Sequence, residues 1–233
     1  MQHCTDCTTA RCAVSAATGR VSPQQPEIRE ERTVSASAYV PAGADLETLR
    51  KAASECRGCD LYRHATQIVF GAGPGDARVV MIGEQPGDRE DVVGHPFVGP
   101  AGRLLNRALV EAGIDRSMVY LTNAVKHFKF EERGKRRIHQ QPGRTEIVAC
   151  RPWLEAELSV VRPELVVCLG AVAAQTVFGP SFRVTRQRGE VIALEDYRAV
   201  ATVHPSAILR APDREAAYEE FIADLRTVRT AME

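Results

Sequence analysis

The stretch ARVVMIGEQPGDRED, residues 77–91, reads as a buried strand that runs straight into a glycine-broken polar loop. Val79 to Ile82 is an apolar run too short for a helix, and its branched side chains suit a strand covered on both faces. Three more runs end in the same way, so the strands are placed at Arg78 to Gly83, Val119 to Asn123, Leu165 to Gly170 and Ala199 to His204. Helical stripes separate them. Leu104, Leu105, Ala108, Leu109 and Ala112 form one, stopped by Gly113; Ile147, Cys150, Leu154, Leu158 and Val161 form another. A short helix is expected from Ala44 toward Cys56, and a last one after Asp213. Strands alternating with helices predict an α/β fold, a three-layer α/β/α sandwich on a mostly parallel four-stranded sheet. Ligands of such sheets bind beyond the carboxyl ends of the strands.

Composition sets the outer limits. The 233 residues, 44% hydrophobic and 26% charged, suit one catalytic domain over residues 43–233, preceded by a flexible extension, 1–42, rich in Ser, Thr, Ala, Gln and Pro. No apolar run is long enough for a membrane span or a secretory signal, so a cytoplasmic, monomeric protein without a membrane partner is expected. The formal net charge of zero excludes a wholly basic nucleic-acid coat. One local patch remains: Lys126 to Arg151 holds eight basic against three acidic residues, 8 − 3 = +5. Seven cysteines, an odd number, argue for metal ligation before disulfides. Cys56 and Cys59 form a CxxC, Cys150 lies far downstream, Cys168 sits in an apolar run, and Cys4, Cys7 and Cys12 crowd the N-terminus.

The strand ends carry the chemistry. Glu84 and Gln85 are followed by HPFVGPAGRLLNRAL, residues 95–109, which puts carboxylates, an amide and an aromatic ring over the sheet edge. The glycine pattern is neither GxGxxG nor a Walker loop, which speaks against a dinucleotide-dependent oxidoreductase. Asn123 can pair donor and acceptor with a pyrimidine edge, and His204, in the HPS sequence 204–206, can stabilise charge on a departing base. Each alone is more often a turn cap than a catalyst.

Together the GEQPGDRED loop, HPFVGPAGRLLNRAL, TNAVKHFKF (122–130), GKRRIH (134–139) and HPS resemble the uracil-DNA glycosylase superfamily, specifically its iron–sulfur family 4 and the UdgX branch. The resemblance runs from about Leu49 to the C-terminus. It implies a partner, uracil-containing DNA, single-stranded or duplex, whose base is flipped out because the glycosidic bond is inaccessible in the stack. Phe97 would stack on the uracil, Asn123 would read its edge, and His204 would face the developing anion. Glu84 and Gln85 would line the sugar side with Asp91 nearby, and Lys135, Arg136, Arg137 and Ser206 would hold DNA. The KRRIH segment is the branch signature, and its His139 is similar to a nucleophile that captures the sugar. A 4Fe–4S cluster is implied on Cys56, Cys59 and Cys150, with His127 as fourth ligand where the family has cysteine; Cys168 competes for that place and zinc is the rival metal. Two other readings stay open: a conventional glycosylase that finishes with water, and a noncatalytic iron–sulfur module that binds DNA lesions.

Overall fold

A computed structural model describes residues 35–233 of the chain, so the expected extension and Cys4, Cys7 and Cys12 fall largely outside the described residues. In chain order the elements are α1 (Leu46–Ala53), β1 (Val79–Gly83), α2 (Asp88–Val93), α3 (Pro100–Glu111), β2 (Val119–Asn123), β3 (Phe130–Arg133), β4 (Arg136–His139), α4 (Arg144–Val161), β5 (Leu165–Leu169), α5 (Ala171–Phe178), α6 (Val184–Gln187), β6 (Val191–Ala193), β7 (Arg198–Thr202), α7 (Pro205–Arg210) and α8 (Arg214–Ala231). The main sheet has five strands in the order β2-β1-β5-β7-β6. The four expected strands are all present and mutually parallel; β6 adds an antiparallel edge on β7 that a three-residue, half-exposed segment does not announce.

Alternation along the strands sorts the layers. Val79 and Met81 of β1 face α3 and α8 in one core, with Leu105, Leu109, Phe221 and Leu225. Val80 and Ile82 face α4 and α5 in the other, with Leu154, Val172 and Ala174. Burial on both sides explains the continuous apolar strands, each such side chain contributing about 1.5–3 kcal/mol. Helix starts are fixed locally: Asp45 accepts the Thr48 N–H at 2.8 Å and Asp213 the Ala216 N–H at 3.0 Å. The packed body begins ahead of residue 43. Ala36 is buried, donates its N–H to the Ala149 carbonyl at 2.7 Å, and lies so close to Gly58 that a Cβ there would meet its backbone nitrogen at 2.6 Å.

The register places the functional edge. Gly83 pairs with Asn123, Ile82 with Cys168, and Leu169 with Thr202, so β1, β2, β5 and β7 end side by side. The TNAVKHFKF segment is not one strand. β2 stops at Asn123, and after an irregular crossing β3 and β4 form a separate antiparallel hairpin in which KRRIH, expected as a loop, supplies the second strand.

Candidate active site

A cleft of about 670 Å³ opens at that edge, walled by the loop after β1, the end of β2, the start of α7 and His139 at the stem of the hairpin. Its floor is Gly83. A Cβ there would stand 2.3 Å from Asn123 Oδ1 and 2.8 Å from Phe97 Cζ, so the absent side chain lets ring and amide converge. Phe97 takes φ = 58°, a left-handed conformation costly for an aromatic residue, and Gly102 of α3 leaves room for its carbonyl. That backbone presents the Phe97 ring to the cleft, 6.2 Å from the His204 imidazole and inclined by only 28°. Asn123, buried at the end of β2, turns its amide into the same space.

His204 caps α7. The Ser206 N–H donates to Nδ1 at 3.2 Å and the Ser206 hydroxyl lies 2.8 Å from the same atom. Nδ1 is therefore the acceptor, and the proton sits on Nε2. Burial first, then the nearby positive charge of Arg210, pushes this histidine down to about 4, so it is a neutral donor at physiological pH. Gly170 keeps the approach open, since a Cβ there would stand 3.0 Å from His204 Cβ.

The hairpin carries His139 to the opposite lip. Its Nε2 stands 3.4 Å from Glu84 Oε1, while that carboxylate oxygen is buried and without a hydrogen-bond partner among the described residues; the contact has ion-pair reach but not hydrogen-bond geometry. Burial raises Glu84 above the usual carboxylate range, against the opposing pull of Arg210. Burial, followed by the same guanidinium, lowers His139, which favours a neutral ring. Polar ties hold the hairpin there. Gln85 donates to the Lys129 and Gln140 carbonyls at 3.1 and 3.0 Å and accepts the Lys129 N–H at 3.2 Å, so its side chain is used up as a bracket. Arg137 reaches Asp88 and Asp91 at 2.6 Å each and lies over the Phe128 and Phe130 rings. This departs from the expected placement: Arg137 is a clamp between hairpin and α2, and Asp91, fully buried beneath it, does not line the cleft. Lys135 and Arg136 are exposed at the hairpin turn.

The sequence pattern of the family described as the uracil DNA glycosylase superfamily matches residues 70–226, which span β1 to most of α8. The chain belongs to this superfamily. It is 35% identical over 182 residues to a type-4 uracil-DNA glycosylase of Archaeoglobus fulgidus, covering 75% of this chain and 88% of the relative. A type-4 uracil-DNA glycosylase of Thermotoga maritima is 37% identical over 167 residues, covering 71% and 83%, and one of Pyrobaculum aerophilum is 32% identical over 187 residues, covering 77% and 92%.

In this member of the superfamily, Glu84, Gln85, Phe97, Asn123, His139, His204 and Ser206 all border one cleft, whereas Asp91, Arg137 and the four described cysteines do not. Two groups escaped the sequence reading. Arg210 lines the cleft and influences Glu84, His139 and His204 together; its signal was its place four residues after Ser206, one turn along the same face of α7. Lys126 looked like one more basic residue, yet it is completely buried. Its ammonium donates to the Asn123 carbonyl at 2.8 Å and Thr122 Oγ1 at 2.6 Å and pairs with Glu157, which also accepts from Gly71 N at 2.9 Å and the Tyr120 hydroxyl at 3.0 Å. The backbone N–H of Lys126 points the other way, to Cys150 Sγ at 3.3 Å.

Cys56, Cys59 and Cys150 share one buried wall with Trp153, whose indole N–H reaches Cys56 Sγ at 3.2 Å. His127 is buried next to Lys126. Among the described residues no three His, Cys, Asp or Glu side chains close around a single-ion position. Cys168 lies inside β5 in the sheet core, and burial pushes its thiol well up.

Proposed function

We propose that this chain is a uracil-DNA glycosylase of the UdgX kind, which releases uracil from DNA and retains the abasic sugar on His139. The observation that carries the reading is a neutral-leaning imidazole at the cleft lip, 3.4 Å from a buried, unpartnered carboxylate oxygen, facing the base-reading floor. A flipped uracil stacks on Phe97, pairs with the Asn123 amide, and meets the Nε2–H of His204. The C1′–N1 bond breaks with its electron pair going to uracil N1, and the anion that forms is stabilised by the His204 and Asn123 donors. The sugar keeps cationic character at C1′, next to Glu84. An unprotonated ring nitrogen of His139 donates its lone pair to C1′; the imidazole proton is lost and uracil N1 gains one, so no water is consumed. Proximity decides the outcome, because a fixed imidazole beside C1′ competes at an effective concentration that bulk solvent does not match.

Cys56, Cys59, Cys150 and His127 would hold a 4Fe–4S cluster. Three thiols in one wall with N–H donors on two of the sulfurs suit a cluster, which spaces its ligands more widely than one ion does. Held there, it would brace the segment 126–151. Visible absorption with iron and zinc analysis of the purified protein separates a cluster from zinc.

The deciding experiment mixes the protein with labelled uracil-containing single-stranded DNA, denatures the mixture with heat and detergent, and resolves it on a gel. A slow band that needs both uracil and His139 is expected. Free uracil without such a band establishes the water-using glycosylase in its place; a band that survives His139→Ala removes the nucleophile; DNA binding with neither product establishes a noncatalytic module.

A further inference from the structure

Half of the basic stretch that stood out in the sequence, four of its eight basic residues, is neutralised by folding. Lys126 is buried on Glu157, Lys129 lies 2.8 Å from Glu146, Arg133 lies 3.1 Å from Glu131, and Arg137 is held by Asp88 and Asp91. A protein with zero net charge that binds a polyanion needs phosphate contacts beyond the exposed Lys135, Arg136, Arg144 and Arg151 that this stretch retains.

Beside the cleft a second groove of about 490 Å³ runs between α3, the end of α7 and the start of α8. Arg103, Arg107 and Arg214 line it, with no carboxylate among the lining residues, over an apolar floor that includes Leu104 and Ile208. The two depressions are continuous: Pro100 borders both, and α7 gives Ser206 and Arg210 to the cleft but Ile208 and Leu209 to the groove. Arg107 is preset, its guanidinium 4.2 Å over the Tyr218 ring, donating to the Tyr218 hydroxyl at 2.9 Å, with Glu111 at 3.5 Å. Arg103 and Arg214 are exposed. Of the nearby acids, Asp213 is turned to the Ala216 N–H as the cap of α8.

We infer that this groove is the track for the DNA strand on one side of the uracil, with Arg103 and Arg214 on its phosphates and the apolar floor under a neighbouring base. The inference rests on the proposed glycosylase reading and adds where the substrate strand leaves the cleft. Charge complementarity and continuity with the cleft select this occupant; the groove holds no donor–acceptor array that would read a base edge, so the contact is indifferent to sequence.

The test compares wild type with Arg103→Ala/Arg214→Ala on single-stranded oligonucleotides carrying one uracil, extended on the 5′ side only, the 3′ side only, or neither. On one of the two extended substrates the protein concentration that gives half-maximal single-turnover uracil release should rise about tenfold or more for the variant, and the slope of log affinity against log salt should fall by roughly 1.4, two contacts at about 0.7 each. On the unextended substrate variant and wild type should agree, and Arg103→Lys/Arg214→Lys should restore most of the salt slope. Equal affinity and slope on both extended substrates, or equal losses on the two sides, overturns the groove. Wild type releasing no uracil from any substrate is a different result, which overturns the glycosylase reading.

Discussion

Two ion-pair networks flank the cleft, and they are built on opposite plans. Behind Asn123, Lys126 and Glu157 are sealed from water and bonded to each other, to groups of β2 and to the Gly71 backbone. On the other side Arg137 remains partly exposed and ties a two-stranded hairpin to α2 through Asp88 and Asp91. The first network fixes a main-chain carbonyl at a strand end; the second fixes a whole element that shares no strand pairing with the main sheet. The part proposed to read the base is thus set into the core, and the part that carries His139 is fastened on from outside.

The largest effect is expected where the contrast is sharpest. Lys126→Met strands a buried carboxylate and should cost about 3–5 kcal/mol in denaturant unfolding, with base excision falling alongside, whereas Lys126→Met/Glu157→Gln should regain a good part of that loss. If Lys126→Met unfolds like wild type, the pair does not anchor the floor of the cleft. An intermediate effect is expected from Arg137→Ala, with a stability loss of about 1–3 kcal/mol. Crosslinked product should drop at least about tenfold while the rate of uracil release changes by less than about threefold. Release and capture falling in step would show that the hairpin is not a separate functional part. The smallest effect concerns pH. His139 lies below its ordinary range because its half-exposed ring is partly desolvated and stands near Arg210, so its neutral form persists at more acidic pH than that of a free imidazole with a pKa of about 6.5. Capture yield should fall less between pH 7.5 and pH 6 than an ordinary imidazole titration requires; a fall that follows that titration would show that the site does not depress the ring's protonation.

The same contrast explains what could be read from the sequence. The four parallel strands were legible because burial on both faces leaves an unbroken apolar run, as in Val79–Ile82 and Leu165–Leu169. The residues at their ends followed, since a parallel sheet brings its carboxyl ends to one edge. The hairpin was not legible as structure: FEERGKRRIH is polar on both faces, and what holds it is distant, namely Gln85, Asp88 and Asp91. Lys126 was misjudged for a related reason, because its partner Glu157 lies 31 positions on, in a helix whose pattern showed only its apolar stripe. Arg137 counted as a free positive charge until the fold supplied two carboxylates.

The Gln140 N–H donates to the Lys129 carbonyl at 3.0 Å, closing the hairpin at its stem. Residues 130–139 therefore leave the body of the protein and return to it at one place. An insert with a closed stem can be trimmed to a tight turn without displacing β2 or α4, so on the proposed reading the step between a glycosylase that lets its product go and one that keeps it is a single local change in length.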